Sequence, residues 1–209
     1  MRKINKGSVP PELTQWKKKN PHGAYNQIPP PIRSLIREYA LKEQFYLCAY
    51  CCKGIEDIKG CHNEHIEPQN LNPKRTLDFS NIVASCNTDK QCGKAHQSQP
   101  LPLTPLMAEC ETEFRFKMSG RVEGLTERAI ATIQVLNLGD HEKNNRVLIE
   151  KRKQLVWTLL WKNGINAAEG LEDKELLEEL ISDLSQPRTD KMEPFTPVVI
   201  NILKNWLMS

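Results

Sequence analysis

Cys61-His62-Asn63-Glu64-His65-Ile66-Glu67-Pro68 is the stretch on which the reading of this 209-residue chain turns. An acidic residue followed at once by histidine, then by an apolar residue and, two further on, a proline, lets a strand end present a metal ligand and a base side by side. In that arrangement Glu64 holds a divalent cation and His65 takes a proton from water. An imidazole, with an ordinary pKa of about 6.5, suits general-base work at neutral pH. Asn81 opens the short apolar run Asn81-Ile82-Val83 behind Asp78 and Ser80, both competent helix caps. Its amide is expected to hydrogen-bond the imidazole and orient it. His96, in Cys92-Gly93-Lys94-Ala95-His96, offers a neutral nitrogen ligand from further along the chain.

Cysteines bracket this segment. Cys48-Ala49-Tyr50-Cys51 is a tight pair, and Cys86 with Cys92 makes a wider one. Thiolates so spaced reach one tetrahedral Zn²⁺ at about 2.3 Å. The 34 residues between Cys51 and Cys86 exceed a compact zinc ribbon, so the Glu64-His65 segment reads as an insertion inside a zinc staple. Cys52, Cys61 and His62 are alternative ligands, whereas buried reduced thiols are the simpler reading for Cys110, Cys52 and Cys61. Seven cysteines, an odd number, exclude complete disulfide pairing. A redox role for Cys48 and Cys51 lacks the strand-and-helix context it needs.

Outward from this core the composition is ordinary for a globular protein, 39% hydrophobic and 26% charged, with a net charge of +3. The pattern predicts no membrane span and no secretory signal, and a cytoplasmic location is the expectation. The charge is unevenly laid out. Residues 1–100 hold 15 Lys/Arg against 9 Asp/Glu, and residues 101–209 hold 14 against 17. Four segments follow. Residues 1–46 carry six prolines before Ile32, and seven of the eight charges up to Arg33 are basic, which predicts an extended basic arm with little helix or strand, then an amphipathic helix over about 31–46. Residues 47–98 are the cysteine and histidine core, expected as a short hairpin and a short helix. Residues 99–124 are a proline-rich linker with a small hairpin around Ser119-Gly120. Residues 125–209 read as helices over 125–138, 142–161, 171–184 and 197–206, separated by Gly139, Gly164, Gly170, Pro187 and Pro194. The overall expectation is an α+β fold.

The order Cys-x-x-Cys, Glu64-His65-Ile66-x-Pro68, Asn81-Ile82-Val83-x-x-Cys86, Cys92 and His96 resembles an HNH endonuclease of the ββα-metal type with a structural zinc, over about a quarter of the chain. Lys3-Ile4-Asn5-Lys6, Pro10-Pro11-Glu12-Leu13, Trp16-Lys17 and the closing helix extend the resemblance to the HNH subunit of Septu-type and retron-linked anti-phage systems (PtuB-like). The resemblance implies that His65 is the general base, that Asn81 orients it, and that Glu64 and His96 bind Mg²⁺ or a similar ion. It also implies a partner, an ABC-like ATPase (PtuA-like), docked by the helical region or the arm. Two departures stand out: the acidic position is more often Asp, and the insertion between Cys86 and Cys92 leaves Asn87 as the alternative to His96. Lys74, Arg75, Lys90 and Lys94 are candidate phosphate contacts that position a backbone without reading sequence. Because water is the nucleophile, DNA and RNA are both admissible substrates, with DNA favoured. The competing expectation is a non-catalytic zinc module that binds nucleic acid or protein.

Overall fold

Prolines open helices here rather than extending the chain. A proline at the first helical position lacks only an N–H that would have no intrahelical partner, and Pro11 begins α1 (Pro11–Lys19) as Pro30 begins α2 (Pro30–Glu43). In the computed structural model, which describes residues 1–165 and 173–208, the N-terminal segment is therefore not the extended arm that its proline count suggests. Leu13 is fully buried, and Lys17, Lys18 and Lys19 occupy the last turn of α1, where positive charge meets the negative end of the helix dipole. The residues before α1 are tied into the core as well. Ile4 donates its N–H to the Pro105 carbonyl at 2.7 Å. Lys6 donates to Glu43 and to the Ile82 carbonyl, at 2.6 and 2.8 Å, while lying over the Phe79 ring.

α2 ends before the sequence pattern predicts. Phe45 and Tyr46 take left-handed φ values of 51° and 61°, which turn the chain back toward a bridge between Leu47 and Gly54. Its buried face, Ile36, Ala40 and Leu41, packs on a two-stranded antiparallel sheet. β1 (Cys61–His65) pairs with β2 (Ile82–Cys86) in a register running from Cys61 opposite Cys86 to His65 opposite Ile82. The outer edge of β2 would expose unpaired backbone in the interior, and a glutamine covers it. Gln44, 3% exposed, donates to the Ala84 and Leu47 carbonyls and accepts the Ala84 N–H, all between 2.7 and 2.9 Å. A single helical turn, α3 (Gly93–His96), follows β2.

Beyond the prolines, β3 (Phe114–Phe116) and β4 (Val122–Gly124) form the expected small hairpin. Gly120 turns it at φ 83°, and a Cβ there would stand 2.1 Å from the Ile149 carbonyl oxygen, so only glycine fits. α4 (Glu127–Leu136), α5 (Glu142–Lys162), α6 (Lys174–Ser185) and α7 (Thr196–Leu207) follow. The expected helix start at Leu171 and the break at Gly170 lie outside the described residues. Among the described residues the architecture is α+β, with seven α-helices and two small antiparallel sheets. No described helix is long and apolar enough to cross a membrane.

The C-terminal helices wall the cysteine core. Cys92 donates to the Leu136 carbonyl at 2.8 Å, Phe195 to Cys52 at 2.9 Å and Met192 to Phe45 at 3.1 Å. Arg152, 1% exposed, sends its guanidinium to the Gly120 and Leu138 carbonyls at 2.7 and 3.1 Å.

Gln44→Met keeps the side-chain length and removes three buried hydrogen bonds, leaving the Ala84 N–H and carbonyl without the amide. A loss of about 3 kcal/mol in unfolding free energy is expected, read from urea denaturation followed by circular dichroism.

Candidate functional site

Four cysteines converge. Cys48 and Cys51 come from the turn before β1, Cys86 ends β2, and Cys92 precedes α3; all are buried, and their sulfurs lie within 4.8 Å of one another. Tetrahedral zinc with bonds of about 2.3 Å holds its sulfurs about 3.8 Å apart, so the donor set and its spacing fit such an ion. Donors that would steady thiolates are present too. The Cys86 N–H points at Cys48 Sγ at 3.4 Å, and the buried Gln91 amide lies 3.9 and 3.7 Å from Cys86 and Cys92 Sγ. The wide Cys86–Cys92 spacing closes because Lys90 and Cys92 adopt left-handed φ of 53° and 54°. The cluster could therefore hold a metal ion such as zinc. Cys52, Cys61 and Cys110 stand outside it as free buried thiols. Burial pushes the Cys61 and Cys110 thiols up to about 12.

Alternation along β1 decides what the remaining residues can do. Neighbouring strand residues point to opposite faces, so Glu64 and His65, expected side by side, project to different sides of the strand. Glu64 faces α3. Its Oε1 meets His96 Nδ1 at 2.6 Å and the Tyr50 hydroxyl at 3.5 Å, and its Oε2 lies 3.3 Å from His62 Nε2. Burial raises the Glu64 carboxyl, but the hydrogen bonds and charge of His62 and His96 outweigh it and hold the group below the ordinary carboxylate range. Gly93, at the start of α3, permits this contact, because a Cβ there would stand 2.5 Å from His62 Nε2 and 2.6 Å from Glu64 Oε2.

His65 faces the other way, edge-on to Tyr25 with 4.6 Å between ring centroids. Its Nε2 sits 2.9 Å from the Thr76 carbonyl. A carbonyl only accepts, so Nε2 carries the proton and Nδ1 keeps its lone pair. Burial lowers the imidazole pKa, against the opposing influence of Thr76 and Glu64, and favours the neutral ring.

Asn81 does not orient the imidazole directly, contrary to the sequence expectation. Its Oδ1 accepts the Glu67 N–H at 2.8 Å, and its Nδ2 donates to the Glu67 and Arg75 carbonyls at 3.1 and 3.3 Å. It ties together the two sides of the loop over residues 66–81, and the Thr76 carbonyl that meets His65 belongs to this loop. Arg75 is likewise committed within the loop. It pairs with Glu67 and bonds Asp78 and Ser80, each at 3.0 Å, so its donors serve structure rather than an incoming phosphate. Lys74, Lys90 and Lys94 are exposed. Asn87 is exposed beside His62, its Oδ1 3.0 Å from His62 Nδ1.

Tyr25, Tyr50, Thr76 and Gly93 join the site although the sequence reading gave them no part. Tyr25 arrives from a segment read as an arm, and Thr76 contributes only its backbone, which no side-chain motif encodes. No family model matches the chain, and no curated protein matches it either.

Cys48→Ser is expected to strip the chain of bound zinc and of its cooperative unfolding transition, because the energy of a structural zinc site is folding energy; metal content by plasma mass spectrometry and a melting curve read both. Asn81→Ala should cost about 2 kcal/mol and speed hydrogen exchange at the Glu67 amide, which then lacks its acceptor.

Proposed function

We propose that the chain is a metal-dependent HNH-type endonuclease, with a zinc-stapled ββα core, that hydrolyses nucleic-acid phosphodiesters. The observation that carries this reading is His65, held by the Thr76 carbonyl as the Nε2–H tautomer with Nδ1 unprotonated, one residue along the strand from the ionised, buried Glu64. A general base requires such an unprotonated nitrogen; Glu64 projects to the other face, so a phosphate would reach both groups only across the end of the strand. In the reaction His65 Nδ1 takes the proton from a water as its oxygen forms a bond to phosphorus, and the bond from phosphorus to the 3′-oxygen breaks in line. Glu64 would hold a divalent ion, which would supply positive charge to offset the charge that develops in the transition state. Tyr25 and Thr76 keep the imidazole in its plane, and the loop tied by Asn81 keeps Thr76 in place.

Exposed Lys74, Lys90 and Lys94 are suited to phosphate contacts that position a backbone without reading bases. The resemblance to the HNH subunit of Septu-type and retron-linked systems supports a role in anti-phage defence alongside an ABC-like ATPase.

His65→Ala is expected to cut divalent-ion-dependent cleavage of labelled DNA or RNA at least a hundredfold, with zinc content and a cooperative unfolding transition retained. Assays run with and without an ABC-like ATPase as partner cover an enzyme that works only in complex. Cleavage by the variant at the wild-type rate would exclude His65 as the base. No cleavage by wild type under any of these conditions would favour the non-catalytic zinc module.

A further inference from the structure

We propose that the divalent ion sits on the solvent side of Glu64, bound by Glu64 Oε2 and His62 Nε2, and that His96 is a positioning residue rather than a ligand. The inference rests on the nuclease reading for the ion's use in catalysis, but not for its binding.

Hydrogen-bond accounting at His62 leads there. Asn87 Nδ2 donates to the Lys59 carbonyl at 2.9 Å, which fixes the amide and turns Oδ1 toward His62 Nδ1, 3.0 Å away. An amide oxygen only accepts, so Nδ1 carries the ring proton. A neutral ring would then aim its Nε2 lone pair at Glu64 Oε2, 3.3 Å distant. Two acceptors at that distance require positive charge beside them, supplied by a second ring proton or by a cation.

The surroundings favour the cation. Glu64 Oε1 is already occupied by His96 and Tyr50, whereas Oε2 meets only His62 among the described residues. Gly93 packs against this pair without a side chain, a Cβ there standing 2.5 Å from Nε2 and 2.6 Å from Oε2, so no protein group is inserted between the two acceptors. Access points the same way. The His96 side chain is fully buried, while that of His62 is 26% exposed and Asn87 lies in solvent. An ion that must carry waters and receive a phosphate can be reached from the His62 side. Ligation by His96 Nδ1 would instead break its 2.6 Å bond to Glu64 and force the proton onto His96 Nε2, which is buried with no partner among the described residues. Left as a donor from Nδ1, His96 holds Glu64 Oε1 and leaves Oε2 for the ion, the arrangement by which an outer hydrogen bond orients a carboxylate ligand.

The donor set also bears on the choice of ion. An imidazole nitrogen beside a carboxylate oxygen binds first-row transition ions in preference to Mg²⁺, so Mg²⁺ should compete poorly with Mn²⁺ here and Ni²⁺ or Co²⁺ should compete well.

The test uses Mn²⁺ as a paramagnetic probe on the full zinc-loaded chain, with affinity from the free-ion resonance signal and ligation from nitrogen hyperfine coupling in pulsed spectra. Wild type is expected to show coupling to an imidazole nitrogen. His62→Ala should lose that coupling and at least tenfold in affinity, while His96→Gln, whose amide still donates to Glu64, keeps the coupling. If His62→Ala fails to retain zinc, His62→Gln takes its place: a side chain of similar reach without an imidazole nitrogen should likewise abolish the coupling. Coupling that survives in His62→Ala and disappears in His96→Gln would overturn the proposal, as would Mn²⁺ bound with no nitrogen coupling or no Mn²⁺ binding at millimolar concentration. Coupling through His62 in a protein that cleaves nothing would leave the ion site standing and remove the nuclease reading. Cleavage with coupling through His96 would do the reverse.

Discussion

Four cysteine sulfurs meeting at one point are the constraint on which the rest of this structure depends. A two-stranded sheet is marginal by itself in water, and β1 and β2 carry every strand residue of the candidate site. A metal shared by Cys48, Cys51, Cys86 and Cys92 would join the turn before β1, the end of β2 and the start of α3. Backbone contacts already follow that geometry: Ala49 donates to the Ala84 carbonyl at 3.1 Å, so the turn carrying the first pair lies along β2. Four thiolates around a doubly charged ion leave two net negative charges in the interior. Arg152 offers the compensating charge. Burial lowers its guanidinium to about 10, and the sulfurs of Cys51, Cys52 and Cys92 oppose that shift. A helix that the sequence marks only as bundle core thereby brings a cation to the cysteine cluster.

Placement of Gly93 couples the staple to the chemistry. Cys92 is both a member of the cluster and the residue before α3, and its N–H bonds the Leu136 carbonyl. The Gly93 N–H then bonds Ser85 Oγ at 3.0 Å, seating α3 against β2 so that His96 reaches Glu64. Losing the cluster would release α3 and free Glu64 Oε1 from its partner. The staple and the carboxylate are separate in chemistry but share two backbone segments, so metal content and site geometry should rise and fall together.

The cysteine cluster, the small hairpin and the four C-terminal helices were legible because each is written in spacing: thiols at a tight turn's interval, alternation over three residues, apolar repeats at helical period. Part of the candidate site was legible at the level of residue type: Glu64 and His96, expected to hold one ion between them, do come together, though through a direct contact of 2.6 Å. Other features were not. The N-terminal segment was misread because proline has two meanings, and only Leu13 and Trp16 behind Pro11 distinguish a helix start from an extended arm. Asn81 is expected from sequence to orient the imidazole and Arg75 to meet a phosphate, whereas their donors are spent on the loop that carries Thr76. Short polar side chains close a loop as readily as they touch a substrate, and sequence spacing carries no record of which backbone groups need partners.

On the nuclease reading, the alternation of β1 imposes a further condition on the substrate. Glu64 and His62 share one face, with α3; Asn63 and His65 share the other, where Asn63 donates to the Tyr25 hydroxyl and the Arg33 carbonyl, both at 2.8 Å. A phosphate served by a cation at Glu64 and by water at His65 Nδ1 cannot lie flat on either face. It has to straddle the end of β1, where the strand gives way at Ile66 to the loop braced by Asn81. This makes the position of that strand end, rather than the identity of any one side chain, the quantity that the surrounding structure must hold. Tyr25 braces it from one side and α3 from the other, and Lys6, bonded to the Ile82 carbonyl directly across from His65, anchors it beneath. An N-terminal segment that reads as a loose basic arm is part of the frame that holds Glu64 and His65 on opposite faces of one strand.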